Sequence, residues 1–311
     1  MSYQRSRKQK VAAKERRVQD RELARVERER KARRTSTRRV ALRAGAVVAG
    51  CAVLAGAGVG VRAAVAAGRR GPVNMASDGL VLWSDGTTAS AGPTEPLPED
   101  ATPTPSVDLA SMGVTQTVAY LDYADPASAA FWAANGAALE DWLASSGGYT
   151  TLELHPLALT ARSSDAGATS DATPHPDPTD AGLDHAARTA NAFACVAAND
   201  PDLALAVNDA LFAASGAGGL TDDELVALVR DTGVSTGGWE RCIRGGRYAD
   251  WVARATDRAT TAVPFDGVGP VSAAPLVVVG GRQYTGDPGD ADAFAAFLAE
   301  VTDEISAGVR S

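Results

Sequence analysis

The chain has 311 residues, with 30 Lys/Arg, 38 Asp/Glu, three His and three Cys, enough for one or two domains with a core of ordinary size. Its net charge of −8 hides a split: residues 1–39 hold 16 Lys/Arg against 5 Asp/Glu, whereas residues 71–311 hold 10 Arg against 33 Asp/Glu, and no lysine follows Lys31. His155, His175 and His185 show no metal-ligand spacing, so neither a metal site nor a cofactor is expected.

Residues 1–39 form a basic segment in which Lys10 to Arg34 offers only Val11, Val18, Leu23 and Val26 as sizeable apolar side chains. Such a segment makes no core, although Glu/Arg pairs four apart suit a solvated helix. No aromatic or groove-reading motif accompanies the charge, so nucleic acid is not the expected partner. Anionic lipid headgroups beside a membrane are.

The next stretch explains why. Ala44 to Val61 is 18 residues without a charge, flanked by Arg43 and Arg62. As a helix it spans roughly 27 Å, close to the hydrocarbon thickness of a bilayer. Residues 40–66 therefore read as one transmembrane helix, with the basic N-terminus inside and the acidic bulk outside. Two export readings compete. Thr37-Arg38-Arg39-Val40-Ala41-Leu42-Arg43 with Ala64-Val65-Ala66 resembles a cleaved twin-arginine signal, and Val48-Ala49-Gly50-Cys51 resembles a lipoprotein box. All three place residues 71–311 outside the cytoplasm. Gly56 to Gly60 falls within this stretch and is no phosphate cradle.

Residues 67–114 read as an extracytoplasmic linker, rich in Pro and Thr from Ser84 to Ser106, with room for one short strand at 77–83. Gln116 to Tyr123 alternates as a strand. Asp125 then supplies an N-cap and Pro126 a first helical residue for a helix running to Ala144, with Phe131, Leu139, Trp142 and Leu143 on its buried stripe. Tyr149 to Leu154 is the next strand, followed by His155-Pro156-Leu157. A strand–helix–strand unit of this length implies a parallel pair.

Ser163 to Gly182 is polar and Pro-bearing and reads as an insertion without order. Residues 183–262 carry helical periodicity: Ala187–Ala198, Leu203–Phe212, a helix opened by the capping box Thr221-x-x-Glu224, and Tyr248–Thr260. Pro275 to Val279 reads as a buried strand turned back at Gly280-Gly281, and a last helix runs from Asp290 to Ile305. Cys195 and Cys242 lie in the exported part, where disulfides persist. A bond between them would close a loop of about 47 residues, worth roughly 4 kcal/mol in the chain-entropy model; two buried free thiols are the other reading.

The motifs, in order, are Asp122-Tyr123-x-Asp125-Pro126-x-Ser128-x-x-Phe131, His155-Pro156-Leu157, Ala190 to Cys195, Leu220 to Leu225, Cys242-Ile243, Tyr248-x-x-Trp251-Val252 and Ala274-Pro275 to Gly281. Residues 115–305 thereby resemble the DsbA-like thiol–disulfide oxidoreductases, particularly their membrane-anchored branch in high-GC bacteria. The resemblance implies an α/β thioredoxin-like fold with a helical insertion at about 183–262, preceded by the transmembrane helix. It puts Asp125 and Ser128 where the family has its two redox cysteines. Ala274-Pro275 falls at the family's cis-proline, and Cys195 and Cys242 at a structural disulfide found in some members.

Asp and Ser cannot exchange disulfides, since the reaction needs a thiolate attacking sulfur. No base stands in sequence to make Ser128 a hydrolytic nucleophile. The expectation is a redox-inactive, membrane-anchored protein with no catalytic residue, acting as a polypeptide-binding, chaperone-like or scaffold module of the cell envelope. Pro126, Ala127, Ala274 and Pro275 would form its groove, and exported polypeptides or an envelope complex would be its partners. The alternative is a thiol–disulfide oxidoreductase working through Cys195 and Cys242. In a third reading the domain is a spacer for the basic tail.

Overall fold

A computed structural model describes residues 70–86, 89–104, 109–160, 185–215 and 219–309. The charge-free stretch at 40–66, the basic segment and the whole polar insertion from Ser163 to Gly182 lie outside these residues. Among the described residues no helix is long and apolar enough to cross a membrane.

One six-stranded mixed sheet organises the fold. Its strands are β1 (Leu80–Ser84), β2 (Ala89–Ala91), β3 (Thr115–Asp122), β4 (Thr150–Leu157), β5 (Leu276–Val279) and β6 (Arg282–Gln283). The helices are α1 (Pro126–Ser145), α2 (His185–Asn199), α3 (Ala204–Ala213), α4 (Asp222–Asp231), α5 (Trp239–Arg244), α6 (Ala249–Thr261) and α7 (Ala291–Gly308). The spatial order is β2-β1-β4-β3-β5-β6, with β3 and β4 parallel and every other neighbouring pair antiparallel. The run β4-β3-β5-β6, joined through α1 and closed by α7, is the thioredoxin arrangement. Helices α2 to α6 are inserted between β4 and β5.

The described residues between 70 and 104, read as part of a linker, join the folded domain. Leu80 to Trp83 pair with Leu154 to Thr151 of β4, and β2 extends the sheet further. Met75 is fully buried, Gly71 N–H donates to Leu97 O at 2.8 Å, and Thr104 N–H donates to Ala76 O at 2.9 Å. The Pro- and Thr-rich composition hid this because few of its side chains enter the core. The segment is held by backbone pairing, to which composition is blind.

Strand alternation splits the core between two faces. Ala119 and Leu121 of β3 pack with Leu152 and Leu154 of β4, Phe131 of α1 and Phe294 of α7. Val118 and Tyr120 point the other way and pack with Leu157, Leu276, Val278 and Ala259 of α6. The strand β4 continues through His155-Pro156-Leu157, beyond the reading at Leu154. Its last pair with β1 is Leu80↔Leu154, so a proline at 156, which lacks an N–H, has an open side on which no ladder bond is lost.

Helix α1 buries Phe131, Trp132, Asn135, Gly136, Leu139 and Leu143, while Trp142 is only half-buried. Gly136 is needed here: a Cβ would stand 2.8 Å from Trp132 Nε1, displacing an indole that donates to Asp209 Oδ1 of α3 at 2.6 Å. The α2 and α5 helices are joined by a disulfide between Cys195 and Cys242. The short α5 escaped the sequence reading because three charged residues in six, following Gly237-Gly238, leave no apolar period to detect.

Candidate functional site

The β3–α1 turn is built by two carboxylates. Asp125 sits in the extended region (φ −90°, ψ 124°), and its Oδ1 accepts from the backbone N–H groups of Ala127 at 2.8 Å and Ser128 at 2.9 Å. It caps a helix whose first residue, Pro126, has no N–H to satisfy. Asp122, fully buried at the end of β3, accepts from Ala124 N–H at 2.8 Å and from both the N–H and hydroxyl of Thr160, at 2.8 and 2.9 Å. Burial raises its carboxyl above the ordinary aspartate range, against those three hydrogen bonds, which lower it.

Ser128 is fully buried, and among the described residues its Oγ is engaged only by the Asp122 N–H, at 3.3 Å. Among the described residues no carboxylate or imidazole is within hydrogen-bond reach of that hydroxyl, so none of them is an activating base. Tyr123, one residue beyond β3, donates to Asn208 Oδ1 at 2.7 Å and lies between Phe193 and Phe212, with ring centroids 6.1 and 4.7 Å away. The helical insertion therefore holds the turn in place.

The second half of the site comes from β5. The Ala274–Pro275 peptide bond is cis. Tyr120 pairs with Leu276 and Thr117 with Val279, and the same register carried two residues further sets Ala274 beside Asp122. The cis-proline loop and the start of α1 thus share one edge of the sheet. Pro126 is exposed, Ala127 and Pro275 are half-buried, and Ala274 is buried. Cys195 and Cys242 are not part of this edge: they lie 0% and 5% exposed within the packing of α2 against α5. Among the described residues no group of three or more His, Cys, Asp or Glu side chains is arranged to hold a metal ion.

Asp122 with Thr160 is the feature the sequence reading missed. Asp122 lay inside a quoted motif, but its partner is 38 residues away, and only the parallel pairing of Asp122 with Leu157 brings the two together.

Two predictions arise here. Asp125→Ala leaves two first-turn N–H groups without their acceptor and is expected to lower stability by about 0.5–2 kcal/mol, while Asp125→Asn keeps most of it. Denaturant titration of both variants reads the difference. On the outer face of α1, Glu140 is pushed up to about 7 from 4.5, first by burial, then by the neighbouring carboxylates of Asp209 and Asp141. A carboxyl raised in the fold takes up its proton more readily there than in the unfolded chain. Its contribution is therefore full below about 4.5 and lost as pH rises through about 7. Because Glu140 is half-buried, solvent screening holds the effect to on the order of 1 kcal/mol. Glu140→Gln is expected to flatten this part of the stability–pH curve, read as melting temperatures from pH 4.5 to 7.5.

No protein-family model and no curated protein matches the chain. Solved structures do. A disulfide bond oxidoreductase, DsbG, from Mycobacterium tuberculosis in its reduced form is 20% identical, with 68% of this chain and 89% of that chain covered and a TM-score of 0.43. The MdbA thiol-disulfide oxidoreductase from Corynebacterium diphtheriae is 12% identical, with 76% and 95% covered and a TM-score of 0.49. Reduced DsbA from Mycobacterium tuberculosis is 20% identical, with 75% and 99% covered and a TM-score of 0.47.

Proposed function

We propose that this chain is a DsbA-like protein that keeps the binding frame of a thiol–disulfide oxidoreductase and has lost its redox chemistry. One observation carries the reading. The two N–H groups that would stabilise a thiolate at the start of α1 are taken by the Asp125 carboxylate, and a fully buried serine stands three residues on. A carboxylate is as well suited to a helix N-terminus as a thiolate is, but it cannot attack sulfur. What such an edge still offers is a shallow surface of Pro126, Ala127, Ala274 and Pro275, without charge, beside exposed Ser272 and Ala273. Its role is then to grip extended segments of exported polypeptides, or one component of an envelope complex, in a chaperone-like or scaffold capacity.

In this reading residues 40–66 anchor the chain in the cell membrane, the basic N-terminus lies against anionic headgroups inside, and the folded domain works outside. The charge split along the sequence and a disulfide in the domain both support that placement.

The test adds the purified full-length chain to a reduced, unfolded disulfide protein and follows thiol oxidation and aggregation together. Reduced aggregation with oxidation at the blank rate is expected. Accelerated oxidation would overturn the loss of redox chemistry. Suppression of aggregation that survives Ala127→Glu combined with Ala274→Glu would overturn the groove.

A further inference from the structure

Helix α1 meets the helical insertion along a seam with α3. Trp132, Gly136 and Glu140 fall four residues apart and so share one face of α1. The Trp132 indole lies against Gly136, stacks on Phe212 with ring centroids 5.9 Å apart, and donates to Asp209 Oδ1 at 2.6 Å. Trp132 is buried, whereas Asp209 and Glu140 are half-buried. The residue before Asp209 is Asn208, whose Oδ1 accepts from the Tyr123 hydroxyl at the β3–α1 turn. Through two consecutive residues, α3 therefore holds both α1 and the turn that begins it.

Glu140 hydrogen-bonds Asp209 across this seam. A carboxylate only accepts, so two carboxyl groups in such contact hold one proton between them. Asp209 already accepts from the indole, which favours its charged form, and the proton therefore resides on Glu140. Among the described residues, the charged groups acting on Glu140 are Asp209 of α3 and Asp141, its neighbour on α1, with no cation between them. Of the other elements packed against α1, β1 carries no ionisable side chain, and Glu153 and His155 of β4 lie on the opposite face of the sheet from Leu152 and Leu154. The carboxylates of α7, Asp292, Glu300, Asp303 and Glu304, are not among those acting on Glu140. Once the proton leaves, a bond across the seam is replaced by repulsion between like charges.

We propose that Glu140 and Asp209 form a proton-operated clasp between α1 and the helical insertion. With the proton in place, the carboxyl pair ties α1 to α3. Without it the two charges push the seam apart, and the hold of Asn208 on Tyr123 loosens with it. Acid closes the clasp. The Glu140 carboxyl is pushed up to about 7 from 4.5, so its bond is complete below the lower value and lost as pH rises through the higher one. None of Pro126, Ala127, Ala274 and Pro275 belongs to the clasp, which therefore stands or falls apart from the groove.

The test follows the Trp132 indole N–H of the purified full-length chain by NMR, over about two pH units on either side of 7, with Trp132→Phe to assign the signal. The signal is expected to titrate with one midpoint near 7, and its hydrogen exchange, normalised to an exposed indole, to quicken about fivefold across that midpoint. The backbone N–H signals of Ala127 and Ser128 are expected to move with the same midpoint, carried by Tyr123. Glu140→Gln donates from its amide at every pH. Asp209→Asn still accepts from the indole and donates to Glu140. Each variant is expected to abolish the titration and to keep the slow exchange of the acid form. An indole signal that does not titrate, or exchange that does not quicken, would overturn the clasp. A titration that survives both variants would assign the proton elsewhere, to Asp122 first, and would overturn it equally. Indole titration with Ala127 and Ser128 unmoved would overturn the link to the turn.

Discussion

Replacing Asp125 and Ser128 together by cysteine is expected to turn the chain into a thiol oxidase. Cysteine at 125 would inherit the N–H groups of Ala127 and residue 128 that now serve the Asp125 carboxylate at 2.8 and 2.9 Å. Those donors and the helix dipole lower a thiol pKa and favour the thiolate that exchange requires. The partner at 128 would be buried, as Ser128 is, so a substrate thiolate can attack only the sulfur at 125, expelling the one at 128 as a thiolate. The substrate's second thiol then displaces the sulfur at 125 to leave the substrate disulfide and the reduced pair. The cis Ala274–Pro275 bond flanks this pair on the same sheet edge. With the installed pair supplied in its disulfide form as the stoichiometric oxidant, oxidation of a reduced, unfolded protein should rise from the blank rate of the natural chain by on the order of tenfold or more. The single variants should stay at the blank, since neither can hold an internal disulfide to pass on. If the double variant forms its disulfide, as mass spectrometry would establish, yet oxidises nothing, the edge has lost more than two sulfur atoms and the proposed frame is wrong.

The frame was legible because its signals are local. Asp125 before Pro126 specifies a helix start, Thr221-x-x-Glu224 specifies another, and the structure has both caps, with the capping box closed in each direction. The buried strand at Leu276 to Val279 and the turn at Gly280-Gly281 are likewise short-range patterns. In contrast, the strand β2, the packing of residues 70–104 and the Asp122–Thr160 contact depend on which segments meet across the sheet. Apart from Leu80 to Trp83, few of their side chains are large and apolar, so no apolar period marks the rest. His155 illustrates the same limit. Nothing around it in sequence points to Tyr120, whose ring lies 4.3 Å from its own, and only the Tyr120↔His155 pairing of parallel strands brings the two together.

Removing the Cys195–Cys242 bond by the double change to alanine is expected to destabilise the domain strongly and to leave the sheet edge unchanged. The bond closes 47 residues of sequence, spanning α2 to α5. A loop of that length is worth about 4 kcal/mol in the chain-entropy model. For a domain of this size that corresponds to a fall in melting temperature on the order of 10 °C. Alanine is the informative replacement, because a buried serine would add an unsatisfied hydroxyl and exaggerate the loss. Both sulfurs lie in helix packing held by Asn191, which accepts from Tyr248 N–H at 2.8 Å and donates to Ile243 O at 3.3 Å. An external thiolate must reach a sulfur to break the bond, and at 0% and 5% exposure these are closed off. Dithiothreitol should therefore leave the native bond intact under conditions that reduce the pair installed by Asp125→Cys with Ser128→Cys. A native bond as labile as the installed one, or a double-alanine variant melting within about 2 °C of the natural chain, would mean that these cysteines do not serve stability and would return them to consideration as a redox pair.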